Sequence, residues 1–266
     1  MSESNYLTNL NRAVILYSME IKHKLSIVLV AINNLEITKR CLSSLEEFTQ
    51  TPHEIIVIDN ASSSLEAIEY YASLSHKSFR FEEVASLSEA WNKGIELSGG
   101  DYIAVINNDT VVPPNWESPL LETLEVDPQA GMVTPLTFWL LKAHFRYNFF
   151  PEFKLEKKYK FDTPIKLKPF EGIVWGEFCV FTRKALEIIG GYNPIYERAG
   201  SEDLEMLFQL YDKGFSVYMD PRVCVWHQGH ASRADDILPK KEAESYDQKN
   251  YELFKSRWPK QTSHWS

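Results

Sequence analysis

Short apolar runs alternate with stretches of helical spacing through the first half of the chain. Runs that contain β-branched residues predict buried strands, and apolar residues three or four positions apart predict helices. In chain order the predicted elements are strand Ser26–Ile32, helix Leu35–Phe48, strand Glu54–Ile58, helix Leu65–Leu74, strand Phe79–Val84, helix Ser88–Leu97 and strand Tyr102–Ile106. This alternation is typical of βαβ units and predicts an α/β fold with a parallel sheet.

The second half of the chain has a different pattern. Residues 132–170 are rich in aromatic side chains and lysine. Such a segment is compatible with contact to an anionic acceptor or a membrane surface, and equally with a long excursion folded over the sheet. After it the pattern predicts strand Gly176–Thr182, helices Arg183–Ile189 and Ser201–Lys213, short strands Phe215–Met219 and Val223–Trp226, and helix Lys240–Arg257.

Composition narrows the function classes. The 266 residues are 44% hydrophobic, which is enough for a packed core and excludes a disordered chain. A formal net charge of −9 argues against general nucleic-acid binding. The three cysteines provide no disulfide framework and indicate a reducing, cytosolic compartment. The apolar runs are far shorter than a membrane span.

Asparagine and aspartate follow the clearer strands at the point where each ends. Strand Tyr102–Ile106 stops at Asn107-Asn108-Asp109, and Pro113-Pro114 then prevents a return to a regular strand. Ligands of open α/β sheets bind beyond the carboxyl ends of the strands. One carboxylate beside two amides suits Mg²⁺ or Mn²⁺ shared with the phosphates of a ligand. An Asn/Asp turn that merely closes the strand explains the same residues.

Two further positions of the first half carry candidate chemistry. Asp59 ends the second strand, where its carboxylate can accept the N3–H of a uracil or thymine ring. An Asx-turn with Asn60 and Ser62 is the alternative for this residue. Asn92 and Lys93, in the helix before the central strand, offer an amide and a cation to a diphosphate, or are ordinary helix surface.

Two candidates in the second half would carry the reaction. Glu202-Asp203 opens a predicted helix, where the helix dipole alone favours carboxylates. One of the two is also placed to act as a general base toward a hydroxyl. His227 follows an apolar strand, and its imidazole is a candidate metal ligand. Cys224, His227 and His230 lack the second pair of ligands that a zinc signature needs.

Six segments occur in an order that resembles family 2 glycosyltransferases of the GT-A fold. They are AINNLEITKRCLSSL, EIIVIDNASSS, SEAWNKGIELSGGDYIAVINNDT, WGEFCVFTRKALEIIGGYNP, SEDLEMLFQLYDKGF and VCVWHQGHAS. The resemblance runs from Leu25 to Ser232, and the NNDT form is most similar to the bacterial rhamnosyltransferase-like branch. It implies a Rossmann-like nucleotide-binding sheet that continues into a smaller acceptor-binding half.

The resemblance also implies domain boundaries. Residues 1–23 are expected to form an N-terminal extension, and residues 24–235 the glycosyltransferase domain. Within that domain the nucleotide-binding half covers residues 24–130 and the acceptor half residues 131–235. Residues 236–266 are expected to form a C-terminal helical tail.

By the same resemblance, particular residues receive roles at the donor site. Asn107-Asn108-Asp109 takes the place of the family's DxD motif, with Asn107 in place of the first Asp and Asp109 as a metal ligand. His227 would complete the metal shell, and Asp59 would read the pyrimidine base of the donor. The nucleotide-binding set that the resemblance implies is Ala31, Asn33, Asp59, Asn92, Lys93, Asn107 and Asn108.

Reaction and acceptor roles follow from the resemblance as well. Asp203 matches the general base, and Glu202 would help to hold the acceptor or the donor. Trp175 and Gly176 lie where the sugar and the acceptor approach. Ala31 stands where many relatives carry Thr, and the next residue is Ile rather than Tyr, so no aromatic ring is placed there to stack on the base.

These roles imply an inverting glycosyltransferase that moves a sugar from a UDP- or dTDP-sugar to a glycan, lipid-linked or protein acceptor. The cofactor would be Mn²⁺ or Mg²⁺, no nucleic acid would be involved, and residues 138–170 could contact the inner face of a membrane peripherally. Because Asn107 leaves one firm carboxylate in the motif, a catalytically degenerate binding module remains an alternative. A sugar nucleotidyltransferase would need a Gly-rich basic loop after the first strand, which Asn33-Asn34-Leu35 is not.

Overall fold

A computed structural model describes residues 24–139, 144–146, 162–170, 176–229 and 240–263. The expected extension, residues 1–23, lies outside the described residues, as do Trp175, His230 and most of the segment 138–170. None of the helices in the described ranges is both long enough and apolar enough to cross a bilayer.

Ten strands of the described chain form one mixed sheet. The strands are β1 (Leu25–Ala31), β2 (His53–Asp59), β3 (Lys77–Arg80), β4 (Tyr102–Asn107), β5 (Thr110–Val111), β6 (Ala130–Trp139), β7 (His144–Arg146), β8 (Ile165–Lys166), β9 (Phe178–Thr182) and β10 (Ser216–His227). The helices are α1 (Leu35–Phe48), α2 (Leu65–Ser73), α3 (Leu87–Leu97), α4 (Glu117–Val126), α5 (Arg183–Ile189), α6 (Glu202–Asp212) and α7 (Lys240–Arg257). The predicted α/β class is therefore confirmed.

The strand order brings the ends of several strands to the same edge of the sheet. The order is β3-β2-β1-β4-β9-β6-β10-β5, with β7 beside β6 and β8 beside β10. Strands β1 to β4 are mutually parallel, β9 is antiparallel to both β4 and β6, and β10 is parallel to β6. It follows that the carboxyl ends of β1, β2, β4, β6 and β10 and the amino end of β9 lie along one edge.

The central strands are buried on both faces, as their continuous apolar runs predict. Because strand residues alternate between faces, Val28 of β1 belongs to one hydrophobic cluster and the next residue, Leu29, to the other. Trp91 of α3 and Phe208 of α6 lie in the cluster with Val28. α1 and α4 contribute their apolar faces to the opposite cluster. The sheet is thereby fixed between two helical layers.

Several predicted boundaries are wrong. The strand expected at Phe79–Val84 forms earlier, as β3, in parallel register with β2. The two short strands expected on either side of Asp220 are one strand, β10, with a register shift between Asp220 and Cys224. The buried Asp220 carboxylate accepts hydrogen bonds from Arg222, which satisfies the polar groups at this irregularity. Strand β6 and helix α4 had no counterpart in the prediction.

Candidate active site

The candidate site lies where the strand order reverses. From β1 the chain moves outward to β2 and β3 and then returns to β4 on the other side of β1. In an open α/β sheet this switch point forms a crevice outside the carboxyl ends of the strands. Ala31 pairs with Asp59 at the ends of β1 and β2, and Val30 pairs with Asn107 at the end of β4. Three residues of the predicted nucleotide-binding set therefore meet here.

Asp59 lies at the end of β2 with its carboxylate already engaged. The residue is 2% exposed, and its Oδ1 accepts a hydrogen bond of 2.9 Å from the backbone N–H of Ser62. This contact forms the turn that the sequence offered as the alternative to base recognition. The other oxygen, Oδ2, pairs with the guanidinium of Arg80, whose side chain is 39% exposed. Arg80 ends β3 and thus borders the solvent side of the crevice.

Two predicted asparagines build the loops around the crevice. Asn33 has a left-handed backbone (φ 48°), and its Oδ1 accepts hydrogen bonds from the backbone N–H groups of Ser63 and Ser64 at 2.9 and 3.0 Å. The amide of buried Asn108 donates to the hydroxyl of Thr38 in α1 at 2.8 Å. Asn33 ties the segment after β1 to the segment after β2, and Asn108 ties the end of β4 to helix α1, so the crevice has a preformed shape.

Asn92 and Lys93 have partners within the protein. The Asn92 amide donates to the carbonyl of Tyr192 at 2.7 Å and accepts from its N–H at 2.8 Å. The Lys93 ammonium lies 3.0 Å from the Glu96 carboxylate and 4.8 Å from the centre of the Phe79 ring. These contacts agree with the helix-surface alternative for Lys93, and the diphosphate role of both residues stays a prediction.

Asp109 and His227 form a buried pair at the edge of the sheet. Strand β10 pairs with β5, and His227 lies opposite Thr110 in this pairing. Asp109, the residue before Thr110, is therefore beside the imidazole. Nε2 of His227 lies 2.9 Å from Oδ1 of Asp109, and the two residues are 4% and 5% exposed. The other carboxylate oxygen, Oδ2, accepts a hydrogen bond of 3.1 Å from the backbone N–H of Gly229. Both predicted metal ligands therefore meet.

The geometry of this pair fits a divalent cation. Oδ1 of Asp109 is buried and not aligned for a hydrogen bond, although Nε2 of His227 is within ion-pair distance. Adjacent ligands of an octahedral ion with bonds of about 2.0–2.1 Å are about 2.9 Å apart, which matches the observed separation. In the described part of the chain no three His, Cys, Asp or Glu side chains form a metal-binding group. The phosphates of a ligand and water would have to supply the other ligands.

Asp203 lies in the first turn of α6, beside the segment that leads into β9. Its Oδ2 accepts a hydrogen bond of 3.1 Å from the backbone N–H of Gly176, and its Oδ1 accepts one of 2.8 Å from the N–H of Leu204. A Cβ atom at Gly176 would lie 3.0 Å from the Asp203 Cβ, so this close approach favours glycine. Glu202 is buried and accepts a hydrogen bond from the N–H of Gly200.

Glu177 belongs to the site but was missed by the sequence reasoning. It is 5% exposed, and its backbone carbonyl accepts a hydrogen bond of 2.9 Å from the N–H of Asn107. Its Oε2 lies 4.0 Å from Nδ1 of His227. Burial raises the pKa of the nearby Cys179 thiol well above its usual range, and the charges of Asp203 and Glu177 raise it further. A charged residue directly before an apolar strand was the available signal.

Glu205 was also missed. Its carboxylate is fully buried in α6, two residues after Asp203. It accepts hydrogen bonds from the guanidinium of Arg257 at 2.7 Å, the indole of Trp258 at 2.7 Å and the hydroxyl of Tyr196 at 2.9 Å. The C-terminal helix α7, expected to be a tail, is thus joined to the helix that carries the candidate base.

Comparison with known sequences gives the family. The sequence profile of Glycosyl transferase family 2 matches residues 26–190, which is more than half of the chain. An uncharacterized glycosyltransferase of Escherichia coli (strain K12), YibD, is 34% identical over 113 residues, which are 41% of this chain and 33% of that protein. The poly-beta-1,6-N-acetyl-D-glucosamine synthase of Staphylococcus epidermidis is 26% identical over 209 residues, covering 76% of this chain and 49% of that protein. The chain spans less than half the length of these two relatives.

Solved structures give the fold. The crystal structure of GalNAc-T7 with UDP, GalNAc and Mn²⁺ superposes with a TM-score of 0.63 at 21% identity, covering 77% of this chain and 43% of that one. TarS of S. aureus, residues 1–349, superposes with a TM-score of 0.60 at 11% identity, covering 78% and 61%. The chain has the GT-A fold and belongs to glycosyl transferase family 2.

Proposed function

We propose that this protein is an inverting glycosyltransferase that moves a sugar from a UDP- or dTDP-sugar to an acceptor hydroxyl. One observation carries the proposal: the Asp109–His227 pair and Asp203 lie at the same edge of the sheet. The consecutive residues Gly176 and Glu177 lie between them, one bonded to Asp203 and the other near His227. This arrangement supports a site in which candidate metal ligands and a candidate base lie beside the predicted nucleotide crevice.

The reaction would be one displacement at the anomeric carbon. The acceptor oxygen forms the new bond to this carbon, the bond to the diphosphate oxygen breaks, and the acceptor proton passes to the Asp203 carboxylate. The N–H of Gly176 orients this carboxylate without neutralising its charge. Asp109 and His227 would hold Mn²⁺ or Mg²⁺, which supplies positive charge against the departing diphosphate. Glu202, bonded to the N–H of Gly200, would stabilise the turn that presents Asp203.

The relatives support the general class of donor and cofactor, a nucleotide-sugar and a divalent metal. The GalNAc-T7 structure contains UDP, GalNAc and Mn²⁺, and the staphylococcal relative is named for a polymer of N-acetylglucosamine. A nucleotide-sugar donor, a divalent metal and a glycan acceptor follow for this chain as proposals, as do the cytosolic location and the rhamnosyltransferase-like branch. A lipid-linked or protein acceptor and a peripheral membrane contact through residues 138–170 remain predictions of the sequence.

A degenerate binding module is the second candidate function. Asn107 in place of an acidic residue favours it, because the metal pair then contains one carboxylate. The buried, closely spaced Asp109 and His227 argue for metal-dependent catalysis, because a loop that only closes a strand needs neither side chain at this position. A sugar nucleotidyltransferase is less supported, because the β1–α1 loop around Asn33 lacks glycine and basic residues.

A thermal-shift panel of UDP, dTDP, GDP, CDP and ADP, each with Mn²⁺ and with EDTA, tests the donor site. A nucleotide at about 100 times its Kd stabilises the native state by about 2.7 kcal/mol. We expect a metal-dependent shift for UDP or dTDP that Asp109→Ala removes. Asp212→Ala, which removes an exposed carboxylate of α6, is the matched control and should keep the shift. If no nucleotide raises the melting temperature with Mn²⁺ or with EDTA, the nucleotide proposal is overturned. A binding module for another class of ligand would then be favoured.

A further inference from the structure

Glu177 is a buried carboxylate with no role in the proposed reaction. Its side chain is 5% exposed and lies between the start of β9 and the end of β10. Its backbone carbonyl bonds to the N–H of Asn107, so the residue is fixed to the end of β4. The preceding residue, Gly176, bonds to Asp203. Glu177 therefore lies between the candidate base and the candidate metal ligands.

The His227 ring separates Glu177 from Asp109. Asp109 approaches Nε2 at 2.9 Å, whereas Glu177 approaches Nδ1 at 4.0 Å. Since the two ring nitrogens point in different directions, an ion held by Nε2 and Asp109 has the imidazole between it and Glu177. In protein metal sites a ligating histidine commonly directs its second nitrogen toward a carboxylate, which fixes the ring and its tautomer.

We propose that Glu177 is a positioning residue for His227: it attracts the Nδ1–H, which keeps the lone pair of Nε2 directed at the cation that Asp109 shares. The inference rests on the proposed metal-dependent function. Glu177 would thus act on the metal through the imidazole and not as a ligand itself. Because Gly176 and Glu177 are consecutive, the same short segment would set the position of the metal relative to the candidate base.

Mn²⁺ affinity of the full chain, measured by calorimetry and by electron paramagnetic resonance with UDP present, tests this role. Loss of a carboxylate that orients a ligating histidine lowers metal affinity by about 10- to 100-fold. We expect this loss for Glu177→Met, which keeps the side-chain length but has no carboxylate. Glu177→Gln should retain most of the affinity, because its amide oxygen can still attract the Nδ1–H from the same position. If Glu177→Met does not fold, Glu177→Asp carries the same expectation with a smaller loss.

A double-mutant cycle separates positioning from direct ligation. When Glu177 acts through the imidazole, Glu177→Met has no further effect on Mn²⁺ affinity in a His227→Ala background. A further loss there would make Glu177 a ligand and overturn the inference. Unchanged affinity in Glu177→Met, or equal losses in Glu177→Met and Glu177→Gln, would overturn it as well.

Mn²⁺ binding by the wild-type protein and by the His227→Ala variant distinguishes a failure of the proposed metal centre from a failure of the positioning role of Glu177. If the wild-type protein binds no Mn²⁺, or if His227→Ala binds it as tightly as the wild type, the metal centre itself fails and both proposals fall. If His227→Ala weakens binding and Glu177→Met does not, only the positioning role fails. Unfolding curves in EDTA show whether each variant is folded before its affinity is compared.

Discussion

The two sides of the crevice hold their carboxylates in different ways. At the end of β2, Asp59 is paired with the guanidinium of Arg80, which neutralises its charge. At the other side, Asp109 and Asp203 each accept a hydrogen bond from the backbone N–H of a glycine, and the side chain beside Asp109 is the His227 imidazole rather than a guanidinium. A backbone N–H fixes the direction of a carboxylate but leaves its negative charge in place. The difference separates residues that shape the crevice from residues equipped to bind a cation or accept a proton.

This contrast bears on the role of Asp59. Both oxygens of the Asp59 carboxylate already have a partner, the N–H of Ser62 and the guanidinium of Arg80. To accept the N3–H of a pyrimidine, one oxygen must bind two donors at once or Arg80 must move away. The Asp203 carboxylate accepts hydrogen bonds from the backbone N–H groups of Gly176 and Leu204, which leave its charge available to a proton. We therefore expect the largest functional effects on the β4–β10 side and smaller, stability-linked effects on the β1–β2 side.

The largest expected effect is that of Asp203→Asn. Removing a general base lowers kcat by about 10²- to 10⁴-fold, while the nucleotide site is untouched. Transfer kinetics, with the nucleotide-sugar that the binding panel selects, measure kcat, and titration with the free nucleotide measures donor affinity. Asp212→Asn, at the far end of α6, is the control and should leave both quantities unchanged. An equal loss of kcat and nucleotide affinity would contradict the role of Asp203.

Glu205→Gln comes next and acts on stability. Burial raises the pKa of Glu205, but the hydrogen bonds from Arg257, Trp258 and Tyr196 together outweigh it and leave the pKa below its ordinary value. Hydrogen bonds to a charged group contribute about 1.5–3 kcal/mol each, and Arg257 is partly exposed, so we expect a loss of about 2 kcal/mol at neutral pH. Urea unfolding at pH 7 measures it, with Glu252→Gln on the exposed face of α7 as the control.

The lowered pKa of Glu205 determines how the stability difference between the wild type and Glu205→Gln depends on pH. Because the folded pKa is the lower one, the stabilisation is fully present above the unfolded pKa of about 4.3 and is lost as the pH falls through the folded value. The wild-type protein should therefore lose part of its advantage over Glu205→Gln on acidification below that pH. A constant difference between the two proteins from pH 7 to pH 3 would show that the charge of Glu205 does not contribute.

Local patterns in the sequence were sufficient for much of the first half. Helix α1 and the central strand β4 follow from apolar periodicity and from the asparagines and aspartate that end β4. The same patterns named Asp109, His227 and Asp203. Their meeting depends on pairings between distant segments, such as β5 with β10, and no local pattern encodes these pairings.

The partners of the candidate residues were harder to predict. Arg80 lies 21 residues after Asp59, and only the parallel register of β2 and β3 brings the two together. Glu205 reaches Arg257 across 52 residues, because α7 packs on the loop and helix that carry the candidate base. Strand β6 was missed because its flanking segment is dominated by aromatic and basic residues, which hide the strand pattern.

Substitutions at the Asp59–Arg80 pair are expected to have a moderate effect. Arg80→Met keeps the aliphatic part of the side chain and removes the ion pair, which should lower stability by about 1–2 kcal/mol. If Asp59 reads the base, Arg80→Met keeps the preference for UDP over CDP, whereas Asp59→Asn loses it. The ratio of the two dissociation constants is the measurement. An unaltered ratio in Asp59→Asn would assign the carboxylate to the turn and the ion pair alone.

The smallest effect is expected for Lys93→Ala. Its ammonium is paired with the exposed Glu96 carboxylate on the surface of α3, and a surface pair contributes about 0–1 kcal/mol. The neighbouring substitution Asn92→Ala should cost about 1–3 kcal/mol, because the backbone N–H and carbonyl of Tyr192 lose their partner. Urea unfolding of the two variants measures this difference.

Nucleotide titration of the same two variants decides whether α3 belongs to the donor site. A lysine on a diphosphate would weaken UDP binding when removed, and the loss would shrink at high salt because the interaction is ionic. An amide that only holds Tyr192 would alter stability and leave the affinity unchanged. If the predicted diphosphate role holds, Lys93→Ala weakens UDP binding; unchanged affinity in both variants would assign the two side chains to the contacts that they make within the protein. A salt-dependent loss in Lys93→Ala would extend the donor site to α3 and make the β1–β2 side a second source of phosphate contacts.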